Sequence, residues 1–598
     1  MKLHLKIFAI GAFALSLVSC DKFFEVKSPS AGDDAAVFSD FTLSQYAIYG
    51  VHESLGMVNS YRGRFLPWYG FNSDIEWYNG DNSAGKEITR YAITTTNQQL
   101  NLANGPYNLM YEAIEKCNLI IDGLNKHGNC DIDADMAFLL GEAYCLRAMI
   151  YFDLIKTWGD VPARFEPIES ETIYMGKANR DVIYKQILSD LETAIPMLPY
   201  PGEGKSVSTI RANKNFAQGL YARIALSASG YALRVPDGQE GSGHAGEVRK
   251  STDESLAVSV LYPKALAYLE DVIASGKNSL ESDYEKMWYN MNNLNTTPGK
   301  ETIFSIPFDD NRGRWNFTFA GLSDGSSISS SVKRGGEAGP LPTFYFDYEV
   351  NDIRRDLSCI NYRWNKDDSI EPSGIATWYF GKYRFNWMDV QPYGGGNDDG
   401  VKPVYMRYSD ILLMAAEIEN ELDDLTTAKK YLLEVRKRAF KGNEAEAEAY
   451  VNAISDKDAM FNAIVDERAF EFVGEFLRKQ DLIRWGLLTA KMTEAQKKLE
   501  ALSAWTGDYA DLPNSIYYQY AEDEESIIIY GFNPGETENP GNGWDVVDNY
   551  IQDSKGKAKL DLGKKILFEN DPDTHMYWPI FETNLTTSQG YLKNDFGF

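Results

Sequence analysis

The stretch FLLGEAYCLRAMIYFDLIKTWGDVP, residues 138–162, decides the fold. Its apolar side chains run almost all the way round a helix, the pattern of a helix covered on every side. Glu142, Arg147, Asp153 and Lys156 interrupt the run before Trp158. Ionisable groups near the middle of so short a segment are costly in lipid, which argues against a membrane span. Gly141, Cys145 and Ala148 stand at i, i+4 and i+7, leaving one face nearly flat for close approach of a neighbouring helix. Gly159 and Pro162 then end the helix. Arg147 reads as structural, bonding carboxylates or carbonyls between helices rather than a ligand. The same reading applies to Arg468, Arg478, Asp481 and Arg484.

Working outward, Tyr408, Ile411, Leu412, Ala415 and Ile418 repeat at helical spacing, and after a polar link so do Ala428, Tyr431, Leu432, Val435 and Ala439. Two helices joined so closely pack antiparallel. Ala416 and Ala428 stand twelve apart, as in a tetratricopeptide repeat. Further helical segments are expected at 41–57, 107–125, 181–198, 213–229 and 262–275, with a Gly-rich insertion at 230–254. Between about 280 and 403 periodicity weakens, aromatics crowd in, and short β-like pieces such as 302–308 appear. The expected fold class is mainly α: a tetratricopeptide-like helix-pair solenoid decorated by a loop-rich, partly β variable region.

The 598-residue chain carries a formal charge of −28, so phosphate backbones are repelled and nucleic acid is excluded as a partner. The amino terminus has a basic head (Lys2, Lys6), an apolar run over 7–18, and Leu17-Val18-Ser19-Cys20, which resembles a bacterial lipobox. It implies cleavage before Cys20 and lipidation of its sulfur, with polar residues 21–36 as a tether. Cys117, Cys130, Cys145 and Cys359 lack C-x-x-C spacing and read as core residues rather than a disulfide or zinc framework.

Catalytic patterns fail on their context. Gly321-Leu-Ser323-Asp-Gly325 fits G-x-S-x-G, but the Ser- and Gly-rich residues after it lack a helical pattern, so no nucleophile elbow forms. Asp131, Asp133, Asp135 and Glu142 match calcium-loop positions, yet Met136 stands where the sharp turn requires glycine; acidic residues at a helix start explain them better. No cofactor is expected.

Further segments are YNLMYEAIEKCN (107–118), ILSDLETAIPMLP (187–199), Glu301-Thr302-Ile303-Phe304, 348–355, YMRYSDILLMAAEIENEL (405–422) and IVDERAFEFVGEFLRKQDLIRW (464–485). In order and spacing, with Cys20 and 141–162, they make the chain resemble the SusD/RagB family of surface nutrient-binding lipoproteins of Bacteroidetes. The resemblance implies an outer-membrane, cell-surface, lipid-anchored protein that captures oligosaccharide and delivers it to a SusC-like TonB-dependent transporter without catalysis. The alternatives are a peptide-binding scaffold of the same uptake system or a surface glycosidase. Asp21 departs from the pattern that enterobacterial sorting sends outward, so placement in the outer membrane rests on the resemblance.

The boundaries expected are a signal peptide (1–19), a lipidated tether (20–36), an N-terminal helical region (37–279), a variable region (280–403) and a C-terminal region with the last helix pairs (404–598). Glycan binding requires exposed rings beside polar groups, because a sugar's C–H face stacks on Trp or Tyr. Two regions fit. NSDIEWYNGDNSAGKEITR (72–90) offers Trp77, Tyr78 and Asn79, just after the Ser73-Asp74 that resembles the family's sugar-binding segment. The second offers Trp315, eleven residues beyond Phe304, with Trp288 and Tyr289 upstream.

Overall fold

The computed structural model describes residues 34–310, 312–324, 333–389, 398–563 and 566–598. Cys20 and most of the expected tether lie outside these. Residues 34–36 are not tether: they belong to the short helix Asp34–Phe38, whose Phe38 ring fills the space a Cβ at Gly123 would occupy.

The array is built from α1 (Phe41–Gly56), α2 (Pro106–His127), α3 (Ala134–Trp158), α4 (Arg180–Ala194), α5 (Lys214–Ala228) and α6 (Val258–Ser275). It resumes with α7 (Tyr408–Glu421), α8 (Leu425–Ala439), α9 (Lys457–Phe472) and α10 (Arg478–Trp485). From α1 to α8 each helix packs on the next, including α6 on α7 across the long intervening segment. The repeat is therefore continuous in space although interrupted in sequence.

Every residue of α3 from Phe138 to Trp158 except Tyr144 is buried, as its all-round apolar pattern requires. The turn after α4 closes on the flat face: a Cβ at Gly141 would stand 3.1 Å from Leu198. Gly159, at φ 72°, ends the helix in a conformation that disfavours a side chain. Each charge of α3 has a partner. Glu142 receives Arg211 through two nitrogens, at 2.8 and 2.6 Å. Arg147 grips Asp190 of α4 with two bonds of 2.8 Å and reaches Asn118 of α2 and the Phe165 carbonyl at 2.9 Å. Asp153 accepts from Tyr61 at 2.6 Å and pairs with Lys156. Asp133, one of the acidic residues at the helix start, caps α3 by accepting the amides of Asp135 and Met136.

The segment between α6 and α7 holds small sheets, one of them completed by a strand from the loop between α1 and α2. Strand β1 (Glu76–Tyr78) pairs antiparallel with β3 (Ala338–Pro340), and β2 (Thr302–Ser305) with β4 (Val404–Arg407). A three-stranded sheet forms in the C-terminal region from Ser515–Tyr520, Ile527–Tyr530 and Asp545–Asp548. Ser323 is buried in a two-residue strand, and residues 325–332, where an elbow would need its helix, lie outside the described residues. One apolar core runs through both the array and this segment. Cys117, Cys145 and Cys359 are buried free thiols.

A lattice of buried charges ties the parts together. Glu471 of α9 accepts from Arg354 at 2.8 Å and from Arg407 and Arg438 at closer range. Glu301, at the entry to β2, receives Arg407 and Arg438, each at 2.7 Å. Arg468 joins Asp410 and Asp481 at 2.7 Å, and Arg478 joins Asp74 at 2.7 Å. Burial by itself raises the Glu471 carboxyl; Arg438, Arg407 and Arg354 override it and hold it well below the usual carboxylate range. Its contribution is thus complete above the ordinary value of 4.5 and is lost as pH falls through the lower folded value. Glu471→Gln keeps the shape and leaves the guanidiniums without their shared anion. Urea unfolding at pH 7 should show a loss of about 3–5 kcal/mol, shrinking as the parent is acidified below pH 4; an unchanged midpoint would remove the lattice as a determinant of stability.

Candidate functional site

The structure corrects the expected exposure of the aromatic candidates. Trp77 lies mid-strand in β1, opposite Gly339, where a Cβ would stand 1.9 Å from the Trp378 carbonyl; the ring is buried. Tyr78 is buried beside Trp68 and stacked on Phe71, with centroids 6.1 Å apart. Trp288 is covered within the helix Tyr284–Asn292, its ring 4.6 Å from the Lys382 ammonium. Trp315 opens the short helix Trp315–Phe319 and is enclosed by Phe319, Tyr383 and Phe476. The physical reason is common to all: an irregular segment has few aliphatic stripes, so its large rings must form its core. Asn79 is half-buried and donates to the Trp378 carbonyl at 2.9 Å. Tyr289, one residue from Trp288 on the helix, is 41% exposed.

Glu76, Trp77, Tyr78 and Asn79 share a cavity of about 190 Å³ with Lys86 and Arg90. A larger cleft, about 730 Å³, opens between α1, the loop 207–211 and the loop 307–312. That volume suits an oligosaccharide segment. None of Trp288, Tyr289 and Trp315 lines this cleft.

The cleft combines ring faces with polar atoms. On α1 the inward stripe is Ser44, Ile48, Val51 and Leu55, which turns Tyr46 and Tyr49 outward. Tyr49 is 41% exposed and lines the cleft with Phe308. Beneath it the Arg211 guanidinium, fixed by Glu142, lies 5.6 Å from the Tyr49 centroid and 4.9 Å from that of Phe138. This cation–π contact holds the ring in place. His52 lines the same wall, and its Nε2 is buried without a hydrogen-bond partner among the described residues. Burial lowers its pKa to about 4, opposed by Glu142, so the imidazole is neutral at physiological pH and offers one donor and one acceptor. Glu53, Ser208 and Asp309 complete the polar lining. Outward tyrosines three apart on an otherwise amphipathic helix were the sequence signal for this wall.

Comparison with known proteins gives concordant results. Residues 310–597 match the family model described as "SusD family", and residues 22–226 match "Starch-binding associating with outer membrane". The chain is 25% identical over 514 residues to a SusD-like protein of Formosa agariphila, covering 79% of this chain and 88% of that one. Among solved structures, a SusD homologue from Bacteroides thetaiotaomicron superposes with a TM-score of 0.70 at 21% identity, over 93% of this chain and 97% of that one. Surface glycan-binding protein A of the same species, solved with laminarihexaose, gives a TM-score of 0.60 at 19% identity, over 92% and 99%. These likenesses establish the mainly helical fold with small scattered sheets.

Glu76, in the smaller cavity, supplies a separate test. Burial raises its carboxyl to about 8, against the Gly474 amide (2.6 Å) and Ser73 hydroxyl (3.0 Å) that donate to it. The folded chain thus holds a proton that the unfolded chain releases above about pH 4.5, and stability falls as pH rises from there to 8, by about 1.4 kcal/mol per pH unit. In a thermal series, Glu76→Gln should unfold at a higher temperature than the parent at pH 8 and lose that margin at pH 4.5; parallel curves would contradict the assignment.

Proposed function

The chain belongs to the SusD/RagB family, and we propose on that premise that it is a surface lipoprotein that captures oligosaccharide and passes it, uncleaved, to a SusC-like TonB-dependent transporter. Cys20 carries the lipid that holds it at the outer membrane. The cargo lies in the cleft between α1 and the loops 207–211 and 307–312, with a sugar ring against Tyr49 and hydroxyls on His52, Glu53 and Ser208. Tyr289 is a second, outlying ring. The observation that carries this reading is the exposed Tyr49 held over Arg211 at the edge of a cleft of sugar-binding size. The family's description as starch-binding and outer-membrane-associated, and a relative solved with laminarihexaose, support it.

Such a site buries modest area, so affinities fall in the micromolar to millimolar range. Enclosure between binding protein and transporter would supply the rest. Tyr49→Ala should weaken retardation in affinity gels of laminarin, starch or galactan about three- to tenfold without altering thermal stability. Trp315→Ala should instead cost about 3–5 kcal/mol of stability as a core deletion. Retardation by every gel that is indifferent to Tyr49→Ala would sink the cleft as the binding site.

A further inference from the structure

Beside the cleft lies a group of arginines that the rest of this acidic chain does not predict; of these only Arg312 is part of the lining, which also holds Glu53 and Asp309. Arg62 and Arg64 flank Gly63, and a Cβ at Gly63 would stand 3.5 Å from Cδ of Arg314, so the Arg314 side chain crosses the backbone between them. Phe317, half-buried, carries the Arg314 guanidinium 4.5 Å from its ring centroid and that of Arg334 at 5.7 Å. Arg312 is exposed and lines the cleft. Gly56 lines it too, and its carbonyl accepts from Nη1 of Arg62 at 3.4 Å. Through Gly56 and Arg312 the cluster adjoins the cleft.

Its environment differs from that of the structural arginines. Arg147, Arg180, Arg354, Arg407 and Arg484 are matched to carboxylates, and these raise their pKa values against the effect of burial. At Arg62, Arg64, Arg314 and Arg334 burial wins and the values are lowered; Arg62 and Arg64 lower Arg314 further.

The acidic groups nearby are largely engaged. Asp398 pairs with Arg62 at 2.7 Å, and Asp310 pairs with Lys402. Asp399 accepts the amides of Trp315, Phe317 and Val401, and burial pushes it up to about 6. Glu337 is hydrogen-bonded to Tyr78. Among the described residues, Arg64, Arg312 and Arg314 make no ion pair, and residues 325–332 and 390–397 contain no Asp or Glu. Nε of Arg62, whose residue is 8% exposed, and Nε of Arg314 are buried without a hydrogen-bond partner among the described residues.

We propose that this cluster binds an anionic substituent of the glycan, a sulfate ester or a uronate carboxylate, so that the cargo is an acidic polysaccharide. The proposal rests on the reading of the cleft as the sugar site and names its substrate class. Guanidinium forks match the oxygens of either group, two bonds at a time. A chain of −28 repels anions at range, but screening confines that repulsion to about 8–10 Å in physiological salt, inside which the local arginine excess acts.

The test uses the full mature chain in detergent, with polygalacturonate, iota-carrageenan and neutral laminarin as probes, by affinity electrophoresis and calorimetry. At low salt one or both acidic polymers should bind at least tenfold more tightly than laminarin. The margin should collapse in 0.5 M NaCl, the two acidic probes separating carboxylate from sulfate recognition. Arg64→Gln with Arg314→Gln should abolish the margin while Tm stays level or rises, because neutral side chains relieve the mutual repulsion. Laminarin bound as tightly as both acidic polymers, or a preference that survives the double substitution, overturns the proposal. Neutral binding that depends on Tyr49 would then leave the cleft standing. Acidic binding that is lost with the arginines yet indifferent to Tyr49→Ala keeps the cluster and removes the cleft. Retention of none of the three polymers overturns both.

Discussion

The buried charge lattice around Glu471 is the constraint on which the rest depends. Glu471 lies on α9, Arg438 on α8, Arg407 on β4, and Arg354 in the segment between α6 and α7. One carboxylate thus joins the helical array to the irregular segment it carries. Burying such groups is expensive, and the arrangement holds only because each guanidinium finds several acceptors: Arg354 also binds Asp352 and Glu467, and Arg407 also binds Glu301 and Glu475. Arginine suits this role because its planar fork engages carboxylates on different elements at once.

The lattice also sets the site. Glu301 leads into β2, β2 pairs with β4, and the loop 307–312 leaves β2 at the wall of the cleft. On the opposite side α1 is held by α2 and α3, and the Arg211–Glu142 pair anchored to α3 lies beneath Tyr49. The proposed binding surface thus combines a helix face with two loops that are anchored by β2 and by the Arg211–Glu142 pair. Its ring arrives already in position, which limits the ordering cost that weak carbohydrate contacts must overcome.

Charge is used in two opposite ways within one fold. Where arginine is matched to carboxylate it cements elements together, and where it is left in excess it creates an electrostatic feature that a ligand has to complete. Arg314 illustrates the second use: its guanidinium lies 4.5 Å from the Phe317 ring centroid, and it makes no ion pair among the described residues. The global charge of −28 says nothing of such local inversions.

Residue order alone determined the helical array. Periodicity at i, i+3, i+4 and i+7 is a local property, so the long helices between residues 41 and 275 and the pair over 408–439 were legible, as was the enclosed α3 with Arg147 as a cross-link, whereas the short helices Leu66–Gly70 and Ser83–Thr89 and the helices Glu444–Ala453 and Lys457–Phe472 were not. Family membership was legible for the same reason, because its motifs are short and ordered along the chain. Tertiary structure alone decided which rings face solvent. Trp77 and Trp315 sit in segments without a period, where nothing local tells a stacking platform from a core residue; Trp288 differs, because Tyr284, Met287, Trp288 and Met291 stand at i, i+3, i+4 and i+7 on one buried helix face. The cleft draws on residues 49–56, 207–211, 307–309 and 312, which lie far apart along the chain and meet only when β2 pairs with β4 and the array closes behind them.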